Sequence, residues 1–141
     1  MDLFSVSSSG MEAQRLRMNI IASNLANAET TRTAEGGAYR RKDILFASQE
    51  AQGFGSVLQN SIDSHSTGVK VVGIIEDKRP LKYAYEPSHP DADTKGYVAY
   101  PNVNVAEEMV NMITAARSYE ANVTAFKATR EMVVKALEIG Q

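Results

Sequence analysis

The last third of the chain carries a heptad pattern of apolar residues. Apolar side chains recur there at alternating spacings of four and three, with a break at Arg130. The pattern consists of Val105, Met109, Met112, Ala116, Tyr119, Val123, Phe126, Val133 and Leu137. This spacing puts them on one stripe of an α-helix, and such a stripe needs a partner helix to cover it. A helix from Asn104 to Ile139 would be roughly 54 Å long, so we expect it to pack lengthwise.

The start of this helix is also marked in the sequence. Pro101 cannot continue a helix backward, Asn104 can cap the first turn, and Glu107 can return a hydrogen bond to the cap. Positions beside the stripe are small or apolar rather than charged, so the helix can be approached closely from several sides. The alternative interpretation is an alanine-rich helix with high intrinsic propensity whose faces are simply solvated.

The N-terminal segment, up to about Ala28, predicts a second helix. Its apolar stripe consists of Phe4, Met11, Met18, Ile21 and Leu25. Ser9 and Glu12 have the spacing of a capping box, which places the start of the regular helix at Ser9 rather than Asp2. Two such helices at the ends of one chain can close as an antiparallel, coiled-coil-like hairpin.

The segment between the helices predicts a small β insert. Strand-like composition occurs in Tyr39–Phe46, Val69–Ile75 and Leu81–Tyr85, whereas Ala47–Thr67 is rich in Ser, Gln and Gly and predicts mobile loops. The expected fold class is therefore mainly α with a small β insert. We expect residues 1–31 to form the N-terminal helix, 32–101 an outward-facing β and loop segment, and 102–141 the long C-terminal helix.

Composition excludes several classes of function. The net charge is −2 without long runs of one sign, so a general nucleic-acid surface is not indicated. The chain has no cysteine, which excludes thiol catalysis and thiolate metal sites. No stretch has the roughly 18 apolar residues of a membrane span, and the N-terminus lacks the pattern of a cleaved signal peptide. We expect any export to use another route.

The sequence offers no convincing catalytic or cofactor site. His89, Asp91 and Asp93 alternate along the chain and could hold a hard metal ion, although a turn explains them at least as well. No nucleophile elbow, phosphate loop or dinucleotide fingerprint occurs. The Arg40-Arg41-Lys42 cluster is more typical of a solvated face than of an anion site. We therefore predict a protein that is not an enzyme and binds neither cofactor nor metal.

Both ends of the chain resemble one known family. The run from Ile20 to Thr30, IIASNLANAET, is similar to the N-terminal signature of bacterial flagellar rod and hook axial proteins. The runs EEMVNMI from Glu107 and RSYEAN from Arg117 are similar to the C-terminal motif of that family. Within the family, the short chain, PSHPDAD from Pro87, GYVAYPNVN from Gly96 and YRRK from Tyr39 resemble the proximal rod subunits.

This resemblance implies a structural subunit of the flagellar basal-body rod. The terminal helices would pair and pack with neighbouring subunits into the inner tube of a torque-transmitting drive shaft. The partners would be other rod proteins and further copies of the chain. The resemblance also implies export through the flagellar type III apparatus without cleavage, followed by assembly in the periplasm.

We predict an assembly interface along the two helices. Amides beside an apolar stripe can fix one register of helix packing, so Asn24, Asn27, Asn111 and Asn122 are candidates for selecting the partner. The expected interface residues are Met11, Met18, Ile21, Asn24, Leu25, Asn27, Met109, Met112, Ile113, Tyr119, Asn122, Val123, Phe126, Val133 and Leu137. A soluble cytoplasmic coiled-coil adaptor is the alternative that the stripe alone permits.

Overall fold

The structure, a computed structural model, describes residues 3–48 and 68–139. Within these residues, four short strands lie between two long helices in chain order, which confirms a mainly α chain with a small β insert. The elements are α1 (Leu3–Ala26), β1 (Lys42–Ser48), β2 (Val69–Glu76), β3 (Lys82–Tyr85), β4 (Tyr97–Tyr100) and α2 (Val105–Ile139). Most of the loop predicted for Ala47–Thr67 lies outside the described residues.

The sequence signals correctly predict the start of α2 but not the start of α1. Asn104 caps α2, because its Oδ1 accepts a hydrogen bond from the amide of Ala106 at 3.1 Å. Glu107 instead accepts a hydrogen bond from Arg79 at 3.5 Å. The predicted start of α1 at Ser9 is wrong, since the helix already begins at Leu3. The Ser9 hydroxyl donates to the carbonyl of Val6 at 2.9 Å, a bond within the helix rather than a cap.

The best-covered stripe of each helix is not the one that its largest apolar residues mark. On α2, Glu108 and Ala115 are completely buried, one residue before the predicted Met109 and Ala116, and Met109 is 57% exposed. On α1 the buried residues are Ser7, Gly10, Ala13, Ile21 and Asn24. Small side chains allow close approach inside the chain, and larger apolar ones are left nearer the surface.

The strands form two separate two-stranded sheets, β1 with β2 and β3 with β4. In the second sheet the strands are antiparallel, with Ala84 opposite Val98 and Tyr85 opposite Tyr97. Val98 is completely buried, whereas Tyr83 and Tyr85 on the other face are 68% and 65% exposed. Sequence reasoning missed β4, because Tyr97–Tyr100 shows no alternation of apolar and polar residues.

The chain divides into two compact units. The first unit consists of Met1–Leu16, Leu45–Gly73 and Ala115–Gln141. Its covered residues include Ala13 and Ala115, and the Phe4 and Phe126 rings meet edge to face at 5.1 Å. The second unit consists of Arg17–Ile44 and Ile74–Thr114. Its core combines apolar side chains such as Ile21 and Val98 with a set of buried polar ones.

The turn before β4 depends on glycine at position 96. Gly96 has a φ of +82°, and a Cβ at this position would lie 2.8 Å from Cε2 of Tyr85. We expect Gly96→Ala to lower the free energy of unfolding by about 2–3 kcal/mol, because it adds a clash to an unfavourable φ. Urea denaturation measures this change. Gly36→Ala is the control, since Gly36 has a φ of +91° but open space around it. Equal losses in both variants would contradict the prediction.

Candidate assembly site

Asn24 is the centre of a buried polar junction in the second unit. Its side chain is 0% exposed, and its amide nitrogen donates to the carbonyl of Lys42 at 2.8 Å and to Oε2 of Glu108 at 2.9 Å. Its Oδ1 accepts from the Tyr39 hydroxyl at 3.0 Å and from the amide of Lys42 at 2.9 Å. The amide group thus makes all four of the hydrogen bonds it can form. This set also fixes the orientation of the amide, because a flip would place donors against donors.

A buried ion pair completes this junction. Nε of Arg41 lies 2.7 Å from Oε1 of Glu108, whose side chain is completely covered. The same guanidinium lies 2.9 Å from Asp43 and 3.6 Å from Asp77. The junction therefore joins the end of α1, the start of β1 and the first turn of α2 through charged and polar contacts. The prediction that Arg40-Arg41-Lys42 forms a solvated face is wrong for Arg41, since Glu108 draws its side chain inward.

Asn102 attaches the chain before α2 to two other segments. Its Oδ1 accepts from the amide of Arg41 at 2.8 Å. Its Nδ2 donates to the carbonyls of Asp77 at 3.2 Å and Arg79 at 3.1 Å. These bonds satisfy backbone groups that lie outside the strands. No pattern in the sequence distinguishes Asn102 from an ordinary loop asparagine.

The charges of the junction shift the pKa values of their groups. Burial alone would lower the pKa of Arg41, but its hydrogen bonds with Asp43 and Glu108 outweigh burial and raise it. Burial alone would raise the pKa of Asp43, but hydrogen bonds from Arg41 and the Ile44 amide hold that pKa below its ordinary value. The pKa of Asp77 is lowered mainly because its carboxylate accepts a hydrogen bond from the backbone amide of Arg79.

These lowered pKa values predict loss of stability in acid. A carboxyl group whose pKa is lower in the folded state stabilises the fold fully when the pH is above the group's unfolded pKa, which is about 3.9 for Asp. The contribution is lost as the pH falls through the folded pKa. We expect the urea midpoint to fall steadily below about pH 4, and less steeply in Asp43→Asn, which removes one of these groups. A midpoint that stays constant or rises on acidification would contradict the prediction.

The predicted interface residues differ widely in exposure. Ile21 and Asn24 are buried within the chain, and the four hydrogen bonds of the Asn24 side chain join it to Tyr39, Lys42 and Glu108 of the same chain. Those of intermediate exposure are Met11, Met18, Leu25, Asn27, Met112, Tyr119, Asn122, Val123 and Phe126. The exposed ones are Met109, Ile113, Val133 and Leu137, at 57%, 61%, 44% and 67%.

The two helices run antiparallel in the first unit. Phe4 meets Phe126, while six residues further along α1 the Gly10 position lies against Asn122. A Cβ on Gly10 would lie only 2.9 Å from Nδ2 of Asn122, so glycine allows the close approach. The structure thus covers part of the Asn122 side chain within the chain itself.

The C-terminal part of α2 exposes several apolar side chains. Every residue from 131 to 139, here called the α2 tail, is exposed. The heptad stripe that contains Phe126 continues there with Val133 and Leu137. Phe126 contacts Phe4 near the first residue of α1, and Val133 and Leu137 follow it along α2. Met132, Val134 and Ile139 are also exposed, at 61%, 46% and 87%. The α2 tail is therefore the candidate surface for a contact with another molecule.

The alternative metal site is built as a pair of turns. Nδ1 of His89 accepts from the amide of Asp91 at 3.1 Å, and Asp91 accepts from the Thr31 hydroxyl at 2.8 Å. Oδ1 of Asp93 accepts from the amides of Lys95 and Tyr97 at 2.8 and 2.9 Å. Hydrogen bonds within the turns therefore account for the His89 and Asp93 side chains, whereas Asp91 is held by a contact with the distant Thr31.

Within residues 3–48 and 68–139, no helix is both long and apolar enough to cross a bilayer.

Two family models match the ends of the chain. A model described as flagella basal body rod protein matches residues 4–32, which include all of α1 except its first residue. A model described as the C-terminal part of the flagellar basal body rod FlgEFG proteins matches residues 94–139, which include β4 and α2. The two matches thus contain Asn24 and Glu108, the residues that meet in the buried junction.

Curated relatives match along the full chain, and all three named here are called flagellar basal-body rod protein FlgC. The relative from Borreliella burgdorferi is 46% identical over 100% of this chain and 99% of its own length. Those from Bacillus subtilis and Escherichia coli O6:H1 are 44% and 41% identical, over 97% and 100% of this chain and 95% and 98% of their own. These names describe structural rod proteins rather than enzymes. The chain therefore belongs to the FlgC family of flagellar basal-body rod proteins.

Proposed function

We propose that the chain is a rod subunit that polymerises by packing its terminal helices against neighbouring rod subunits. The exposed α2 tail carries this proposal, because Val133 and Leu137 continue the heptad stripe beyond the Phe4–Phe126 contact and are 44% and 67% exposed. The packing would resemble a coiled coil in its use of one apolar stripe on each helix. The exposed members of the predicted interface are the first candidates for contacts between subunits.

Burial energies favour ordering of the helix ends on assembly. Covering one Leu, Met or Val side chain contributes roughly 1.5–3 kcal/mol, whereas ordering one residue costs about 1–2 kcal/mol of backbone entropy. In the isolated chain, Met132, Leu137 and Ile139 of the α2 tail are 61%, 67% and 87% exposed. The helicity of the dilute chain should therefore rise with protein concentration. Circular dichroism measures this, and complete helicity at all concentrations would argue against assembly-coupled ordering.

The polymer would act as a drive shaft that transmits torque. Rigid helices carry load along the rod, and the Asn24 and Arg41 contacts with Glu108 hold the helices at the second unit in one register. Hydrogen-bonded ionic groups in a buried site can specify a single arrangement among several that apolar contacts allow. The middle segment, residues 32–101, would face outward.

The family also supplies the proposed partners and location. We expect contacts with other rod proteins and with further copies of this chain, in the basal body where the rod crosses the periplasm. We expect the flagellar type III export apparatus to secrete the chain without cleavage. The proposed role requires no nucleic acid, cofactor, metal ion or direct span of the membrane.

Deletion of residues 1–30 separates the rod subunit from the alternative adaptor. The rod role needs both helices, so the truncated chain should be absent from purified basal bodies, and the cells should not swim. An adaptor that uses only α2 would keep its partner and its place in the cytoplasm. His89→Ala serves as the control, because the proposed role gives His89 no part in assembly. Swimming by cells with the truncated chain would exclude the rod role.

A further inference from the structure

Strand β2 has an exposed face with an apolar centre and charged ends. Its even-numbered residues Lys70, Val72, Ile74 and Glu76 are all exposed, Val72 by 60% and Ile74 by 50%. Successive side chains of a strand point to opposite faces, so these four side chains lie on one face in this order. The chain thus leaves a positive charge, two apolar side chains and a negative charge uncovered along one strand.

The outer edge of β2 has no strand partner among the described residues, because its sheet contains only β1 and β2. The amide of Asp77, just after β2, donates to the carbonyl of Arg41 at 2.8 Å, on the side of β1. Amide directions alternate along a strand, so the amides of the even-numbered residues point away from β1. The outer edge of β1 is closed at its start, since both backbone groups of Lys42 bond to Asn24. The open edge of this sheet is therefore that of β2.

Gly73 at the centre of β2 has no explanation within the described part of the chain. A Cβ at this position would meet no atom within 4 Å, and the φ of Gly73 is not positive. Glycine weakens the interior of a strand, and it often marks a place where another backbone approaches closely. The glycine and the open edge thus point to the same contact, a second strand beside β2.

We propose that β2 pairs antiparallel with β2 of a second copy of this chain, with the two Gly73 residues on the two-fold axis. Lys70 of each copy then lies opposite Glu76 of the other, and Val72 of each copy lies opposite Ile74 of the other. Directly opposed apolar pairs and opposite charges stabilise an antiparallel sheet. The strand therefore complements itself residue for residue in the orientation that two-fold symmetry imposes.

The neighbouring registers match less well. Opposed residues must both point toward the partner strand or both away from it, so the two-fold axis can move only in steps of one residue. With the axis at Ile74, Lys70 lies opposite Lys78, and these like charges repel. With the axis at Val72, Lys70 lies opposite Ile74 and has no countercharge. Of these three registers, only the one centred on Gly73 pairs the charges.

The charges of this face are available to a second copy. Lys70 and Glu76 form no ion pair within residues 3–48 and 68–139. Asp77 differs, because its carboxylate already lies 2.7 Å from Nε of Arg79. In the proposed register Lys78 is diagonal to Lys70 of the other copy, and a diagonal neighbour is farther away than an opposed one. The Lys70–Glu76 pairs are therefore the closest charge contacts along the strands.

Main-chain hydrogen bonds would hold the two edges together. Opposed residues whose amides face each other exchange two hydrogen bonds, so the even-numbered residues of the two strands would form about eight. One strand pair covers less area than a stable dimer needs, so we expect a weak and reversible dimer. A two-fold contact of this kind is isologous and closes on itself. The dimer is therefore a state of the free chain, beyond the contacts that build the rod.

Disulfide trapping tests this register, since the chain has no cysteine of its own. Purified full-length Val72→Cys and Ile74→Cys chains, one with a tag that changes its mass, are mixed and oxidised, and the mixed dimers are quantified. Ile75→Cys is the matched control, because Ile75 is also 50% exposed but lies on the other face of β2. We expect mixed dimers of the 72 and 74 chains in at least about fivefold excess over those of the 72 and 75 chains.

Charge reversal in both cysteine chains tests the ion pairs. Lys70→Glu and Glu76→Lys should each lower the yield of 72–74 mixed dimers about three- to tenfold, because two like-charge pairs replace two opposite ones. The double variant Lys70→Glu, Glu76→Lys should restore the yield, since the charges are then opposite again. Both positions are exposed, and circular dichroism checks that each variant keeps its fold.

Two results would overturn the dimer. One is an equal yield with Ile74→Cys and Ile75→Cys, and the other is a double charge swap that leaves the yield as low as the single reversals. These measurements use the free chain in solution, so their outcome is independent of whether the chain is found in basal bodies.

Discussion

Asn24→Asp is expected to lower the free energy of unfolding by about 3–5 kcal/mol. The new carboxylate would face Oε2 of Glu108 and the carbonyl of Lys42 where the amide nitrogen now donates at 2.9 and 2.8 Å. Two donors are lost, and two negative charges meet in a site with no access to water. Urea denaturation at pH 7 measures the loss.

The pH dependence of this variant identifies the cause. Repulsion between the two facing carboxylates favours protonation of one of them in the folded variant. The added proton gives the pair a hydrogen-bond donor again. The folded variant then binds more protons than its unfolded chain, so its deficit should shrink as the pH falls from 7 to about 5. Asn19→Asp, at an exposed position of the same helix, is the control and should change stability little. A deficit that is the same at both pH values would contradict this account.

Arg41→Met is expected to cost a similar amount, about 3–5 kcal/mol, because it leaves the covered carboxylate of Glu108 without its countercharge. The methionine keeps much of the arginine's apolar stem, so the loss reports mainly on the charge. Arg40→Met is the matched control. Arg40 is exposed, and its replacement should change the free energy of unfolding by no more than about 0.5 kcal/mol.

A second substitution tests whether the ion pair is the reason. Glu108→Gln keeps an acceptor for Asn24 but removes the buried charge. The double variant Arg41→Met, Glu108→Gln should therefore be more stable than Arg41→Met alone, with a coupling of about 1–3 kcal/mol. Additive losses in the double variant would show that Arg41 acts through packing and not through Glu108.

The helices could be predicted from sequence because their signals are local. Heptad spacing, Pro101 and the Asn104 cap each act within one or two turns, and the structure has α2 at Val105–Ile139. The strands β1, β2 and β3 follow from short apolar runs bounded by glycine and proline. The start of α1 was missed because Ser9 has the spacing of a cap but bonds backward to Val6.

The junction could not be predicted because its partners are distant in sequence. Arg41 and Glu108 are separated by 67 positions, and Asn24 and Glu108 by 84. From sequence alone, an arginine between two basic residues is expected to be exposed. A glutamate in the first turn of a helix is expected to be exposed as well, because the helix dipole favours it there. Only the fold shows that they are buried together. Sequence reasoning also favoured the large apolar residues as the covered stripe, whereas close packing used Gly10 and Ala115.

The most direct test of the rod role is the reactivity of a single cysteine in the α2 tail. Leu137→Cys is treated with a charged thiol reagent as the free chain and in purified basal bodies, with Ser88→Cys in an exposed turn as the control. We predict that Cys at position 137 reacts rapidly in the free chain and is protected in basal bodies, while position 88 loses no comparable reactivity. Equal reactivity of position 137 in both states would contradict the account.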